Sequence, residues 1–294
     1  MSHHGPEGCV SEPHEAPRRA RLYVALGLAA LIAGCTTTPQ PKTGPYHPSD
    51  APVSVTRIVH GSYLLDLAGV RVLVDPWYFP RGILGQQEPL GLTPRSLPRI
   101  HVILITHDHG DHLDLRALAA LPDRSAEVIV RPGLAEKVAE VGYGRVIELA
   151  WWESVNVSSI AIHAVPADHS TDENGYVLQA GAVTVYAAGD TRFFPGLEEI
   201  AGRFPAIDVA LLPIGGARWF GFRTEMGPRD AARAVAMLKP RRVIPTHYGA
   251  GGPPPFYWTV SNPVEKFRQA LAGAGAADRL VVLAPGDSWH YLGD

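Results

Sequence analysis

One segment, Thr106 to Asp114, constrains the fold and the chemistry of this chain more than any other. It reads Thr-His-Asp-His-Gly-Asp-His-Leu-Asp and directly follows the apolar run Val102 to Ile105. Three imidazoles and several carboxylates in one tight loop make poor core material, because each buried polar group needs a partner. A divalent cation is such a partner, since neutral imidazole and carboxylate are common ligands of Zn²⁺ and similar ions.

The spacing within this segment predicts ligands for two ions. His107 and His109 are alternate residues and can converge on one ion from an extended segment. A following turn would direct Asp111 and His112 to a second ion. The alternative is a solvated, histidine-rich loop or an adventitious metal binder. The position directly after a strand favours the metal site.

The cysteine content limits the kind of metal site that the chain can form, and the net charge limits the kind of partner that it can bind. Of 294 residues, 13 are histidine and two, Cys9 and Cys35, are cysteine, which excludes a disulfide framework or a multi-thiolate zinc site for most of the chain. The 26 basic and 29 acidic residues give a net charge of -3, so nothing indicates a nucleic-acid partner. A hydrophobic content of 46% suits a globular domain with a sizeable core.

The N-terminal segment has the features of an export signal. Arg18, Arg19 and Arg21 precede the uncharged run Leu22 to Gly34, which is shorter than the ~20 residues that a membrane-spanning helix needs. The run ends in Ile-Ala-Gly-Cys35, which resembles the lipobox of bacterial lipoproteins, where the cysteine is acylated after cleavage. A signal-like run that meets a cysteine by chance is the alternative.

This resemblance predicts three regions. Residues 1–34 would be a signal peptide with a lipobox, residues 35–52 a Pro/Thr-rich extended tether, and residues 53–294 the folded domain. The protein would then be an exported bacterial lipoprotein, held at a membrane by acylated Cys35 and facing the periplasm or the cell surface.

Short apolar runs alternate with turn signals and a few helical patterns after residue 53. We predict strands at Val53 to Ile58, Ser62 to Leu67, Val70 to Asp75, His101 to Thr106, Glu127 to Val130, Ile160 to Val165, Tyr176 to Gln179, Val183 to Ala188, Val209 to Leu212, Val243 to Pro245 and Leu280 to Leu283. Helices are predicted at Leu113 to Leu121, Leu134 to Val141, Leu197 to Phe204, Pro228 to Leu238 and Pro263 to Ala272. The pattern favours two sheets covered by helices in one domain.

Four ordered motifs at predicted strand ends carry a family resemblance. The His-x-His-x-Asp-His pattern of residues 107–112 resembles that of the metallo-β-lactamase superfamily. Later segments resemble its further ligand motifs in the same order: Pro-Ala-Asp-His169-Ser, Gly-Asp190-Thr and Pro-Thr-His247-Tyr-Gly. The resemblance implies an α/β (α+β) fold, a four-layer αβ/βα sandwich in a single domain.

The resemblance also implies a ligand set for two divalent ions, with Zn²⁺ expected and Mn²⁺ or Fe²⁺ as alternatives. One ion would be held by His107, His109 and His169, the other by Asp111, His112 and His247, and Asp190 would bridge them. Asp111 and Asp190 are the predicted catalytic carboxylates, beside a hydroxide shared by the two ions.

Residues outside these motifs have less specific interpretations. Asp75 resembles a family position that orients a metal-binding imidazole without itself binding the ion. The alternative is that Asp75 initiates a turn before Pro76. Four histidines outside the motifs are interpreted as ordinary core or surface residues: His60, His101, His163 and His290.

Residues 211–249 resemble one branch of the superfamily more closely. That branch contains L-ascorbate-6-phosphate lactonase-like proteins and the phospholipase D that hydrolyses N-acyl-phosphatidylethanolamine. Arg218, Trp219 and Phe220 resemble a segment of the phospholipase, and they are predicted to bind a phosphate or acyl group, or else to pack under a loop. Ser170 departs from the bulkier residue that the phospholipase carries after its histidine.

The sequence therefore predicts a metal-dependent hydrolase of a phosphodiester, such as a phospholipid, or of an ester or lactone. Its partners would be a small-molecule or lipid substrate and, through the acyl anchor, a membrane. Two alternatives remain open: a β-lactamase-like amidohydrolase, and a metal-stabilised envelope lipoprotein without turnover.

Overall fold

Strands rich in Val, Ile and Leu form the two large sheets of the protein. The computed structural model describes residues 1–2, 46 and 50–293. Strands and helices are numbered here in chain order. The first sheet has seven strands in the spatial order β18 (Ser288–Tyr291), β1 (Val53–Val59), β2 (Ser62–Leu67), β3 (Val70–Val74), β5 (Val102–Leu104), β6 (Glu127–Val130) and β7 (Val146–Glu148).

The second sheet has six strands and mixed polarity. Their spatial order is β15 (Arg242–Thr246), β12 (Val209–Pro213), β11 (Val183–Ala187), β10 (Asn174–Ala180), β9 (Ile160–Pro166) and β8 (Ser154–Val157). Strands β11, β12 and β15 run parallel, as do β3, β5, β6 and β7 of the first sheet. Parallel strands are normally buried on both faces, which explains their unbroken apolar sequences.

Helices cover the outer faces of both sheets. The five helices are α1 (Leu115–Ala120), α2 (Ala135–Ala139), α3 (Gly196–Arg203), α4 (Pro228–Leu238) and α5 (Pro263–Gly273). Buried side chains of α1 and α2 pack on the first sheet, and those of α3, α4 and α5 pack on the second. A third apolar cluster, built from both sheets, lies between them. The predicted four-layer sandwich in a single domain is therefore confirmed.

Alternation along each strand divides its side chains between these layers. On the first sheet Leu65 and Val72 are paired and lie in the cluster between the sheets, whereas Leu64 and Leu73 are paired and lie under α1. Successive side chains of a strand point to opposite faces, so neighbouring residues supply two cores. Burial on both faces thus fixes the register, because a slip by one residue would exchange the two sets.

Two small sheets lie outside the sandwich. One consists of β14 (Phe222–Arg223), β13 (Arg218–Trp219) and β17 (Tyr257–Trp258), and the other of β4 (Gly85–Gln86) and β16 (Ala250–Gly251). The sequence patterns did not predict these two-residue strands.

The predicted strand at Leu280 to Leu283 was wrong. Leu280 makes one isolated parallel bridge to Val243, and the following residues leave the sheet. The Leu283 carbonyl accepts hydrogen bonds from the Arg57 and Tyr248 side chains instead of from a neighbouring strand. The run keeps one backbone hydrogen bond to β15, from the Val281 amide to the Val243 carbonyl at 2.9 Å, and its further hydrogen bonds are to side chains.

Residues 3–34 of the predicted signal peptide, Cys35 and most of the predicted tether lie outside the described residues. From Asp50 onward the described chain forms one structural unit. No helix within the described residues has the length and apolar character needed to cross a membrane.

Candidate metal centre

The histidine-rich loop is held in shape by backbone and capping hydrogen bonds. It begins after β5 and turns at His109, whose carbonyl accepts hydrogen bonds from the amides of His112 and Leu113. Asp114 ends the loop as the N-cap of α1, since its side chain accepts from the amides of Arg116 and Ala117. N-capping side chains of this kind stabilise a helix start by ~1 kcal/mol. The local sequence therefore fixes both the turn and the helix that follows it.

Three imidazoles meet at the first part of the centre. The distance from His107 Nε2 to His109 Nδ1 is 2.9 Å, and that from His169 Nε2 to the same His109 nitrogen is 3.2 Å. His169 Nδ1 donates to the Thr224 carbonyl at 2.7 Å, which leaves the Nε2 lone pair directed at the other two rings. These three predicted ligands of the first ion are thus brought together.

Two imidazoles and a carboxylate meet at the second part. His112 Nε2 lies 3.4 Å from Asp190 Oδ2 and 3.7 Å from Asp111 Oδ2. His247 Nε2 lies 2.5 Å from Asp190 Oδ1. Asp190 therefore faces a different imidazole with each oxygen, and Asp190 and His112 also lie close to His107 of the first group.

The unpaired atoms of this second group fit a cation. His112 Nε2, His247 Nε2 and Asp190 Oδ1 are buried and have no hydrogen-bond partner in the described structure, because the short contact between the last two lacks hydrogen-bond geometry. Buried polar atoms are almost always partnered in folded proteins. Imidazole nitrogens and carboxylate oxygens that converge in this way suit a divalent ion.

Asp75 orients His112 of this second group. Its Oδ1 accepts from the Thr106 amide at 2.9 Å, and its Oδ2 accepts from the Thr106 hydroxyl at 2.8 Å. The same Oδ2 lies 2.8 Å from His112 Nδ1. A carboxylate only accepts, so His112 carries its proton on Nδ1 and presents Nε2 to the centre.

Electrostatics favour a cation among these groups. Burial opposes ionisation of Asp190, but the imidazoles of His247 and His112 hold its pKa well below the usual value. Burial lowers the pKa of His107 well below its usual value, and the charge of His112 lowers it further. The pKa of His112 changes in the opposite direction. Burial disfavours its protonated form, yet three nearby carboxylates, led by Asp190, raise its pKa well above the usual value.

His60, interpreted from the sequence as an ordinary residue, lies at the centre. It is buried in the turn between β1 and β2, with Nε2 3.5 Å from Asp111 Oδ2. Its Nδ1 accepts a hydrogen bond from the Gly249 amide at 3.3 Å, and burial lowers its pKa to about 4. The neighbouring Gly61 also lies against the centre, since a Cβ there would lie 2.4 Å from His247 Nε2.

The other three histidines lie apart from the centre, as interpreted. His101 accepts a hydrogen bond from the Arg71 amide at 2.9 Å, His163 contacts the Gln179 side chain at 3.0 Å, and His290 is exposed.

Two buried glutamates that the sequence motifs did not predict also lie at the centre. Glu173 Oε1 accepts from the Asp190 amide at 2.7 Å and lies 3.2 Å from His107 Nδ1. Glu225 has carboxylate and imidazole neighbours in Asp190 and His247, with one ligand atom of each lying within 4.8 Å of the others. Burial and the nearby charge of Asp190 raise the pKa of both glutamates well above the usual value. Each is a single acid in an unremarkable stretch, so no motif marks it.

A cavity of about 570 Å³ opens onto the predicted metal ligands. His109, Asp111, His169 and Asp190 lie at its base. Its walls combine apolar side chains with arginines: Trp77, Ile83, Leu84, Trp219, Phe222, Tyr257, Arg81, Arg192 and Arg223.

Of the predicted substrate-binding trio, only Trp219 lines this cavity. Arg218 donates to the Gly221 carbonyl at 2.8 Å and closes the hairpin turn. Phe220 is 56% exposed and packs its ring edge-to-face on Trp219 and on Phe256. Arg223, the strand partner of Arg218, reaches the cavity instead.

Comparisons with known proteins identify the family of this chain. Residues 70–248 match a family described as "Beta-lactamase superfamily domain". A UPF0173 metal-dependent hydrolase of Pyrococcus furiosus is 33% identical over 245 residues, which cover 80% of this chain and 98% of that protein. A second, from Caldivirga maquilingensis, is 34% identical over 78% of this chain and 93% of that protein.

Solved structures show the same fold. Igni18, a metallo hydrolase from Ignicoccus hospitalis, superposes with a TM-score of 0.66 at 25% identity, covering 81% of this chain and 98% of its own. A possible metal-dependent hydrolase from Veillonella parvula gives a TM-score of 0.69 at 21% identity, covering 82% of this chain and all of its own. The matched residues include the strands that carry the imidazole and carboxylate groups, and the chain therefore belongs to the beta-lactamase superfamily, among the metal-dependent hydrolases of that fold.

Proposed function

We propose that this protein hydrolyses an amphiphilic substrate, a phospholipid-like phosphodiester or an ester or lactone, at a centre of two divalent ions. The observation that carries the proposal is the cavity, which joins apolar walls and arginines directly to the convergent imidazoles and carboxylates. An amphiphile matches both kinds of wall. A small polar substrate would leave the apolar wall unused.

The residues at the base of the cavity fit two ions. His107, His109 and His169 would hold the first; Asp111, His112 and His247 would hold the second, and Asp190 would lie between them. Two divalent ions at such a site lower the pKa of a shared water and stabilise the negative charge that develops on the attacked group. Zn²⁺ suits this donor set, as do Mn²⁺ and Fe²⁺.

Residues of the chain orient these groups. The Nδ1 atom of His60 accepts the Gly249 amide proton, so its own proton lies on Nε2, directed at Asp111 Oδ2. With a pKa of about 4, His60 stays neutral near pH 7 and keeps this tautomer. His60 thereby holds Asp111 in place, and Asp75 does the same for His112.

Arginines on the cavity wall suit an anionic head group. Arg192 is paired with Asp168, at 2.6 Å, and Arg223 is paired with Asp230. Arg81 is exposed and makes no hydrogen bond or ion pair with another described residue. Arg81 is therefore the cation most available to a phosphate or carboxylate group, for which guanidinium geometry is well suited.

Exposed apolar side chains around the cavity mouth suit an acyl or alkyl group. Within the described residues, six of the large exposed apolar side chains lie in three segments beside the cavity: Ile83, Trp219, Phe220, Phe222, Phe256 and Trp258. Clustered exposed apolar groups usually mark a binding surface. Trp and Phe also favour the membrane–water boundary, which agrees with a lipid anchor at Cys35 and a substrate taken from a membrane.

A substrate panel with the metal-loaded full chain tests this proposal. The panel contains phospholipid vesicles, a long-chain acyl lactone, bis-p-nitrophenyl phosphate and a chromogenic cephalosporin. We expect hydrolysis of the phospholipid or of the lactone, with a rate that increases with acyl length, and bis-p-nitrophenyl phosphate tests whether a phosphodiester without an acyl chain is also accepted. Activity on the cephalosporin alone would favour the amidohydrolase, and inactivity of the metal-loaded protein on every ester would count against hydrolysis of this class.

A pair of matched variants tests the apolar wall. Phe222→Ala removes a 79% exposed side chain at the cavity, and Leu292→Ala removes a 77% exposed side chain outside the cavity lining. We expect Phe222→Ala alone to raise KM for long-chain substrates, with short-chain substrates unaffected. An equal effect of both variants would show that the cavity wall does not select the chain.

A further inference from the structure

Glu225 is a buried carboxylate whose charge no basic side chain of the described structure neutralises. It is 1% exposed, and its Oε1 accepts one hydrogen bond, from the Ala217 amide at 3.1 Å. No Lys or Arg forms an ion pair with it among residues 50–293. An ionised carboxylate without a partner is costly to bury, so a group placed in this way calls for a proton or a cation.

The surroundings of Glu225 point to a cation. One ligand atom each of Glu225, Asp190 and His247 lies within 4.8 Å of the others, and all three residues are buried. Asp190 Oδ1 and His247 Nε2 have no hydrogen-bond partner there. Without a positive charge between them, the two carboxylates repel each other and the imidazole nitrogen has no partner.

The backbone holds Glu225 firmly in this position. On one side, the Thr224 carbonyl accepts the His169 Nδ1 hydrogen bond at 2.7 Å. On the other, the Met226 amide donates to the Thr191 carbonyl at 3.1 Å, next to Asp190. Gly215 leaves the space for the carboxylate, because a Cβ there would lie 2.5 Å from Glu225 Oε1.

We infer that Glu225 is a direct ligand of the second ion, beyond the four residues that the motifs supply. This inference rests on the proposed two-ion centre. The second ion would then have three carboxylates, Asp111, Asp190 and Glu225, and two imidazoles, whereas the first would have three imidazoles and Asp190. Carboxylate-rich sites with more than four ligands suit Mn²⁺, and sites of three imidazoles and one carboxylate suit Zn²⁺. The two positions therefore differ in metal preference.

Metal titration of the full chain tests this inference without an activity assay. Metal-free protein is titrated with Mn²⁺, and the free ion is followed by electron paramagnetic resonance. We expect the wild type to bind two equivalents and Glu225→Gln to bind one, with the second dissociation constant raised at least about tenfold. The control is Asp208→Asn, a buried acid that accepts from Thr184 and Tyr291 at the opposite end of β12. It should bind both ions as the wild type does.

Three outcomes separate the possibilities. Two equivalents bound by Glu225→Gln with wild-type affinity would overturn the role of Glu225 and leave the two-ion centre intact. If the wild type itself binds no ion, the proposed function fails as well. Should Glu225→Gln not fold, as judged by circular dichroism, Glu225→Asp decides. The shorter side chain withdraws the carboxylate, so unchanged affinity in that variant also overturns the inference.

Discussion

Asp75 provides the sharpest test of how the centre is organised, because it touches a predicted ligand without facing the ions itself. In Asp75→Asn the amide oxygen can still accept from the Thr106 amide, as Oδ1 does at 2.9 Å. The new NH₂ group then faces His112 Nδ1, where Asp75 Oδ2 lies at 2.8 Å. Two donors cannot share that contact, so the imidazole proton must move to Nε2.

The size of the effect follows from this tautomer change. A proton on His112 Nε2 points at Asp190 Oδ2, 3.4 Å away, and removes the lone pair that a cation needs. Loss of a group that orients a metal-binding imidazole costs about 10- to 100-fold in metal affinity, or about 1.4 to 2.7 kcal/mol. We expect this loss for the second ion only, since His107, His109 and His169 do not contact Asp75.

Calorimetric titration of the metal-free full chain with Zn²⁺ or Mn²⁺ measures the two affinities separately. Asp208→Asn again serves as the control for the loss of a buried acid away from the centre. The reasoning is refuted if folded Asp75→Asn binds both ions as tightly as the wild type. It is also refuted if the first ion is lost and the second retained.

Four further perturbations have defined outcomes. Chelation should abolish hydrolysis, and added Zn²⁺ or Mn²⁺ should restore it; activity that persists in a metal-free sample would contradict the two-ion centre. His60→Asn should weaken binding of the second ion about tenfold, because Asp111 loses its donor; His163→Asn, a change at a histidine bound to Gln179, should not. Arg81→Gln should raise KM for anionic substrates and leave KM for a neutral ester unchanged; an equal change for both would remove Arg81 from anion recognition. Phe267→Ala, on the buried face of α5, should cost about 3 to 5 kcal/mol of unfolding free energy in urea while two ions still bind, and a smaller cost would mean that the core refills the space.

The sequence predicted those parts of the fold and the centre that depend on local pattern. Helix α4 begins at Pro228 and ends at Leu238 as expected, because proline suits the first turn and the apolar spacing is helical. His107, Asp190 and His247 each follow a buried strand. Their order along the chain matches that of the ligand motifs in the superfamily that the sequence resembles, and this resemblance was what predicted them as ligands of one centre.

Groups whose position depends on tertiary structure could not be predicted in this way. Arg218 and Arg223 lie opposite each other on a two-residue hairpin, and only the three-dimensional path of that hairpin directs Arg223 to the cavity. His60 occupies a tight turn in the first strand pair, far in sequence from Asp111. Both residues follow strands of the first sheet, β1 and β5, and their contact depends on the spatial order of strands in that sheet, which the sequence did not give.

Two glycines indicate how the missed carboxylates relate to the predicted ligands. A Cβ on Gly189 would lie 2.2 Å from Glu173 Oε1, and a Cβ on Gly215 would lie 2.5 Å from Glu225 Oε1. Gly189 directly precedes Asp190, and Gly215 lies just beyond the end of β12. At both strand ends the chain omits a side chain where a buried carboxylate reaches the centre. These two glycines therefore leave the room through which Glu173 and Glu225 approach the centre.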